Sequence, residues 1–341
     1  MKNGMRRKSG LYASVLVLVI LLCNISACNK NNTQVNGNTS KITLCEVTHS
    51  VFYAPLYAAI ELGYFDDAGI DLELINGGGA DKVMTAVISG QADIGFAGPE
   101  ACIYTYLEGQ KDYPKIFGQL TKRDGSFIVG REKQDFSWEK LKGTTILGGR
   151  KGGVPEMTLE YVLKAHNIIP GKDIDVDTSV QFNMMAGAFT GGAGDYVTLF
   201  EPTATELELS GEGFVLASVG EESGEIPYTA FFASQIYMNN NTELIRSFVS
   251  AVTKGLTWVQ NSDSSEIAKV LQAQFPDTSL EVLSQVVERY RDIDAWNDSL
   301  IMKKESFDRL QDVMEEAGEL NQRVEFEAIV DNTMVPKSLL D

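Results

Sequence analysis

The sequence predicts an α/β protein of two lobes, each a mixed sheet flanked by helices, with a ligand cleft between them. Three observations predict it. Short β-like runs alternate with helix-like runs from residue 42 to residue 219, the pattern of sheets built through helical crossovers. Around residues 116–131 two β-like runs flank a polar break, and the alternation then restarts. The body after the leader has about 300 residues, more than one core usually fills.

The elements follow in order. Residues 42–47 read as a first strand, and 53–62 as a helix with Leu56, Ala59, Ile60 and Gly63 at helical spacing. Residues 70–75 alternate apolar and acidic side chains, a strand with one wet face, and Gly77, Gly78 and Gly79 break it. A helix over 81–89 ends at Gly90, a short strand covers 92–96, and Gly98-Pro99-Glu100 opens the next helix. Strands over 116–120 and 127–130 surround Lys122-Arg123-Asp124-Gly125. The pattern then resumes with a strand at 144–147 and a helix at 155–166, with Pro155 and Glu156 in its first turn. Residues 176–182 are extended, 183–189 a short helix, 196–199 a strand, 201–209 a helix and 214–219 a strand. Residues 229–238 read as a long extended return crossing. Beyond it the chain is nearly all helical: 242–260, with Leu244, Phe248, Val252, Leu256 and Val259 on one stripe, then 265–275, 280–291 and 305–316, capped by Gly318. This tail is expected to close the core of the first lobe. The first lobe therefore takes residues 41–122 and 229–341, and the second takes 123–228.

The leader bears on compartment. Lys2, Arg6, Arg7 and Lys8 precede an apolar run over 11–22, the order of a secretory signal. That run is about 12 residues, short of the roughly 20 a spanning helix needs. Ile25-Ser26-Ala27-Cys28 resembles the lipobox of bacterial lipoproteins. The resemblance implies cleavage of a signal peptide over 1–27 and a lipid on Cys28; an ordinary signal with an incidental cysteine is the alternative. Residues 28–40, rich in Asn and without a large apolar side chain, read as a disordered tether. The expected location is the extracytoplasmic face of the membrane, anchored without spanning it.

Without residues 1–27, which carry four positive charges and no acid, the net charge of −18 becomes −22. Such a body does not suit nucleic acid, which wants a basic face. Cys45 and Cys102 lie in apolar stretches and read as small buried residues, although one disulfide between them is possible. There is no Cys-x-x-Cys and no His-x-x-x-His, and the two histidines are His49 and His166. No metal site and no cofactor are expected.

A stretch of about 50 residues carries a family resemblance: His49-Ser50-Val51-Phe52-Tyr53-Ala54-Pro55-Leu56-Tyr57-Ala58-Ala59, then Glu61-Leu62-Gly63-Tyr64-Phe65, Gly69-Ile70-Asp71-Leu72, and Ser89-Gly90-Gln91-Ala92-Asp93-Ile94-Gly95. It resembles the substrate-binding proteins of ABC importers for nitrate, sulfonates, taurine and thiamine-pyrimidine precursors. Leu141-Lys142-Gly143-Thr144, Gly194-Asp195-Tyr196 and Glu201-Pro202 fit more loosely. The resemblance implies the two-lobed periplasmic-binding-protein fold of type II, no catalysis, a monomer, and permease subunits as partners. Pyrimidine synthases of yeast type resemble the same region but carry a Cys-rich run used with iron, and this chain has none. An extracytoplasmic sensor module is a further alternative.

Ligands of open α/β sheets lie at the carboxyl ends of strands, which nominates six places. After the first strand come Thr48, His49, Phe52 and Tyr53, aromatics and an imidazole able to hold a planar ring; a hydrophobic cap is the plain alternative. Gly78 lets a ligand approach backbone, as any glycine turn would. Gly98, Pro99 and Glu100 open a helix, and Glu100 favours a cation or an amino group over an anion. Arg123 and Ser126 face either the cleft or water at the crossing. Arg150, Lys151, Gly152 and Gly153 suit an acidic group or form a flexible basic turn, and the spacing is not that of a P-loop. Phe182, Asn183, Thr198, Glu201 and Tyr228 end strands or mark the return crossing. This mixture favours a flat heteroaromatic with donors and acceptors, a thiamine-type pyrimidine being the leading expectation and a sulfonate, taurine or nitrate the alternative.

Overall fold

The structure, a computed structural model, describes residues 39–336. The expected signal segment, Cys28 and nearly all of the expected tether lie outside the described residues.

The first sheet holds β1 (Ser40–Glu46), β2 (Ile70–Asn76), β3 (Ile94–Ala97), β4 (Pro114–Thr121) and, from much later in the chain, β10 (Thr229–Ser234), in the order β2-β1-β3-β10-β4. The second holds β5 (Ser126–Gly130), β6 (Thr145–Leu147), β7 (Asp175–Asp177), β8 (Tyr196–Phe200) and β9 (Phe214–Ser218), in the order β7-β6-β8-β5-β9. The two share one plan. In the first, β1 is parallel to β2 and β3, and β10 is antiparallel to β3 and β4. In the second, β6 is parallel to β7 and β8, and β5 is antiparallel to β8 and β9. Each antiparallel strand is the one the chain enters from the other sheet: β5 directly after β4, and β10 after β9 by way of a short helix, Val219–Ser223. β5 and β8 are buried along their whole length, which is why they read as unbroken apolar runs, whereas β2 keeps Asp71 and Glu73 exposed and alternates.

Helices α1 (Ala54–Glu61), α2 (Ala80–Ile88) and α3 (Glu100–Leu107) follow strands of the first sheet, and α4 (Val154–Ala165) and α5 (Thr203–Ser210) follow strands of the second. Pro55 and Pro155 sit in the first turns of α1 and α4, where a missing N–H costs nothing. One expectation needs correction. Residues 229–238 are not one extended crossing: β10 ends at Ser234, whose hydroxyl accepts from the Tyr237 N–H at 3.2 Å and starts a helix, Gln235–Asn240. β10 itself is buried mid-sheet, with Phe231 stacked 4.3 Å from Phe96 on β3.

The tail of α6 (Thr242–Asn261), α7 (Ser264–Leu271), α8 (Leu280–Asp292) and α9 (Lys304–Glu316) packs on this first sheet and its helices. The buried stripe of α6 runs through Ile245, Phe248, Val252, Leu256 and Val259; Leu244, expected on it, is only half-buried. Asp263 and Ser279 cap α7 and α8. Gly318, at φ +76°, lies just past the end of α9. α6 crosses α1 at Gly255, where a Cβ would stand 2.2 Å from the Pro55 carbonyl oxygen and 2.9 Å from the Ala59 Cβ. The two backbones touch there and cannot give way as a side chain would.

Gly255→Ala should therefore destabilise the protein by about 1–3 kcal/mol through overpacking. The check is a denaturation midpoint that falls at unchanged m-value; an unchanged midpoint would refute the close crossing.

Candidate ligand-binding site

A cavity of about 280 Å³ lies between the sheets. Its walls come from the carboxyl ends of β1, β2 and β3 on one side and of β6, β7 and β8 on the other, with Tyr228 and Thr229 at the start of β10. Nine of the expected residues line it: Thr48, Tyr53, Gly78, Gly98, Glu100, Arg150, Gly153, Phe182 and Tyr228.

Glu100 dominates the floor. It begins α3, is essentially sealed from solvent, and its Oε2 has no hydrogen-bond partner. Gly98 makes room for it, since a Cβ at that position would stand 2.1 Å from Oε2. Burial pushes the carboxyl up to about 7, against the pull of the Arg150 guanidinium and of the amides of Glu100, Val154 and Ala101. Val154 is the first residue of α4 on the opposite wall, so the carboxylate of Glu100 faces the helix start that an incoming anion would use.

The walls are aromatic. Tyr53 packs edge-on against Phe96 at 4.5 Å, and Phe182 against Phe200 at 5.4 Å. Burial raises the phenol of Tyr53, and burial with the nearby Asp124 carboxyl raises that of Tyr228. The Tyr228 hydroxyl makes no hydrogen bond. At the mouth, Arg150 Nε lies 3.8 Å from Asp81 Oδ1, both side chains about half exposed.

The other expected residues serve elsewhere. His49 is wedged between Tyr57 and Phe275, with ring nitrogens 2.9 Å from Glu46 Oε1 and 3.0 Å from the Gln274 carbonyl. Burial opposes its charge, but Glu46 and the carbonyl prevail and raise its pKa. Phe52 is sealed inside a ring cluster with Phe200, Tyr228 and Tyr290. Pro99 is the buried residue before α3. Arg123 reaches Asp294 at 3.7 Å, and Ser126 donates to Asp124 at 2.5 Å. Lys151 reaches Glu319 at 3.6 Å. Gly152 turns at φ +72°, accepting from the Tyr104 hydroxyl and donating to Glu156. Asn183 is exposed to solvent. The Thr198 hydroxyl is taken by the Leu147 carbonyl at 3.3 Å. Glu201 is buried against Arg289 at 2.6 Å and against the Thr205 N–H and hydroxyl, both at 2.8 Å. Cys45 and Cys102 are buried and free. His166, expected at the surface or as a cap, stacks on Trp138 at 4.8 Å beside Glu222 at the end of α4.

Asp81, Lys82, Thr178, Gln181 and Phe200 also line the cavity. Their signal was position alone, at or just beyond strand ends.

Two mixed sheets of one plan, each turning its carboxyl strand ends towards a shared cavity, define the periplasmic-binding class of fold. The NMT1/THI5-like family matches residues 51–264, and the chain belongs to it. YtlA of Bacillus subtilis (strain 168), named as a candidate binding protein, is 39% identical over 320 residues, 94% of each chain. Among solved structures, the alkanesulfonate-binding protein SsuA from Xanthomonas axonopodis pv. citri, bound to MOPS, superposes with a TM-score of 0.69 at 17% identity, over 86% of this chain and 99% of that one. The periplasmic nitrate-binding protein NrtA from Synechocystis PCC 6803 gives 0.60 at 16% identity, over 88% and 92%.

Burial also pushes Asp124 and Glu156 up to about 7, the neighbouring Glu160 adding to Glu156. A carboxyl whose folded pKa lies above its unfolded one holds extra protons when folded, so stability falls as pH rises from the unfolded value through the folded one. The raised His49 has the same sign. The ligand-free protein should therefore melt a few degrees lower at pH 8 than at pH 5, and Glu100→Gln should raise the pH 8 value and flatten the slope. A melting temperature that climbs with pH across this range would contradict the placement of these acids.

Proposed function

We propose that this protein is the extracytoplasmic solute-binding component of an ABC importer, anchored through Cys28, and that it hands a small organic molecule to its permease. Membership of the family, the name of the Bacillus relative and the ligand-binding roles of the solved neighbours all support the class. In this reading residues 41–122 with 229–341 and residues 123–228 are the two lobes that close on the ligand, and the protein works as a monomer.

One observation carries the choice of ligand: the buried, unpartnered Oε2 of Glu100 at the cavity floor. A buried carboxylate oxygen without a donor is costly, and an amino group supplies the donor. Aromatic walls of Tyr53, Phe182 and Phe200 suit a flat ring. A thiamine-type pyrimidine or a related amino-substituted heteroaromatic meets both demands.

A second reading, a sulfonate or nitrate ligand, is favoured by Arg150 and Lys82 in the cavity walls and by what SsuA and NrtA bind. Against it, Glu100 already faces the amides at the start of α4. An enzyme on this fold is a third reading; the cavity walls carry neither a cysteine nor a histidine to serve as nucleophile or metal ligand.

Melting the chain from residue 28 onward against aminopyrimidines, flavins, taurine, alkanesulfonates and nitrate tests the proposal. A true ligand at a hundredfold excess over its Kd stabilises by about 2.7 kcal/mol. An aminopyrimidine should shift the midpoint, and Glu100→Gln or Gly98→Ala should cut its affinity at least about tenfold. A shift confined to sulfonates or nitrate and lost in Arg150→Ala would replace this ligand with the second reading. Metal-dependent turnover of a bound molecule would make the protein an enzyme.

A further inference from the structure

The turn over residues 150–153 leads from β6 into α4 and so belongs to the second lobe, yet it is gripped from the first. The hydroxyl of Tyr104, on α3, donates to the Gly152 carbonyl at 3.0 Å. Glu319, just past α9, stands 3.6 Å from Lys151, and a Cβ on Gly152 would meet its Oε2 at 3.1 Å. Gly152 turns at φ +72°, and Glu156 Oε2 holds its N–H from its own side at 3.0 Å. A left-handed turn with the other lobe this close suits glycine, which brings no Cβ.

The grip continues along α4. Val154 and Met157 are sealed not in the cores of their own lobe but in the hydrophobic core of the first, with the Met157 sulfur 3.7 Å from the Tyr104 hydroxyl. Further along the helix, Lys164 donates to the carbonyl of Glu316, the last residue of α9, at 2.6 Å. The chain makes all of these contacts with itself. Removing Val154 and Met157 from water favours the joined state, and the polar contacts fix its geometry. Arg150, Gly153, Val154 and Pro155 line the ligand cavity, so parting this contact and opening that wall are one movement.

We propose that residues 150–157 form a clasp between the lobes, seated by Tyr104 as a positioning residue, and that it opens as one unit to admit and release the ligand. Tyr104 stands outside the cavity lining and acts on the ligand only through Gly152. The proposal rests on the reading of the two lobes as parts that close on a ligand, and it adds the contacts that govern the opening.

Brief treatment of the ligand-free protein with dilute hydrogen peroxide tests it, with sulfoxides located by mass spectrometry, because oxidation of a buried methionine waits for its site to open. Met184 is 60% exposed, whereas Met157, Met302 and Met314 are sealed. In the wild type Met157 should oxidise at least about tenfold more slowly than Met184, yet faster than Met302 and Met314, which open only with the whole first lobe. Tyr104→Phe keeps the ring and removes one hydrogen bond. It should speed oxidation of Met157 about two- to tenfold and leave Met302 and Met314 unchanged. Lys164→Ala, about two helical turns from Met157, should also speed it, since the clasp parts as a unit. Should Tyr104→Phe fail to fold, Lys164→Ala decides alone. Silence of Lys164→Ala makes Tyr104 a local packing contact and overturns the clasp. An equal rise at all three sealed methionines is general loosening of the fold and overturns it too. So does wild-type oxidation of Met157 at the pace of Met184, which means lobes already apart, or at the pace of Met302 and Met314, which means a contact that never opens. The measurement uses no ligand, so its failure leaves the importer reading to the melting panel, and silence of that panel leaves the clasp standing.

Discussion

The relation between the two sheets is held by one buried carboxylate. Glu201, at the end of β8, meets Arg289 of α8 at 2.6 Å and the N–H and hydroxyl of Thr205 at 2.8 Å each. Its backbone N–H donates to the Tyr290 hydroxyl at 3.0 Å, and its carbonyl accepts from Ser50 at 2.6 Å. The second arm of Arg289 reaches Glu208 at 2.7 Å. Burying an ion pair is worthwhile only when the remaining lone pairs are satisfied, and here they are. Phe52 fills the space alongside, lying so close over Gly125 that a Cβ there would stand 2.7 Å from its ring. The cavity is the continuation of this node: Phe200 and Tyr228, which pack on Phe52, also form its wall.

Glu201 and Glu100 make an instructive pair. Each follows a strand of its sheet, each is almost wholly buried, and burial raises the pKa of each. Glu201 has three hydrogen bonds, one of them from a cation; Glu100 has an oxygen with nothing to meet it. The first is the chemistry of a joint and the second that of a receptor. The distinction lies in the partners, since the residue type and the burial are alike.

That contrast also explains which parts of the molecule were legible in the sequence. The succession of strands and helices, the polar break between the two sheets and the helical tail follow from periodicity and turn chemistry, which are local. Glu100, Gly98, Tyr53 and Arg150 followed from the strand-end rule. His49 and Phe52 obey that rule equally well yet serve the core, because an aromatic after a strand looks the same whether it faces a ligand or plugs a joint. Glu201 was ambiguous for want of Arg289, 88 positions away. The helix after β10 was hidden by the apolar run before it, although Ser234 marks its start. Gly255 gave no sign of its role, which depends on a helix some 200 residues earlier.

The exchange of strands between the sheets has a consequence for the order of assembly. The second sheet has all five of its strands once residue 218 has emerged. The first does not: β3 and β4 are not neighbours, and the strand that joins them, β10, ends only at residue 234. Until then the first sheet is a three-stranded ribbon and a stray strand, with the apolar edges of β3 and β4 unsatisfied. A chain made from its N-terminus thus makes its earliest segments wait for its later ones, and the half that begins first is the last to be finished.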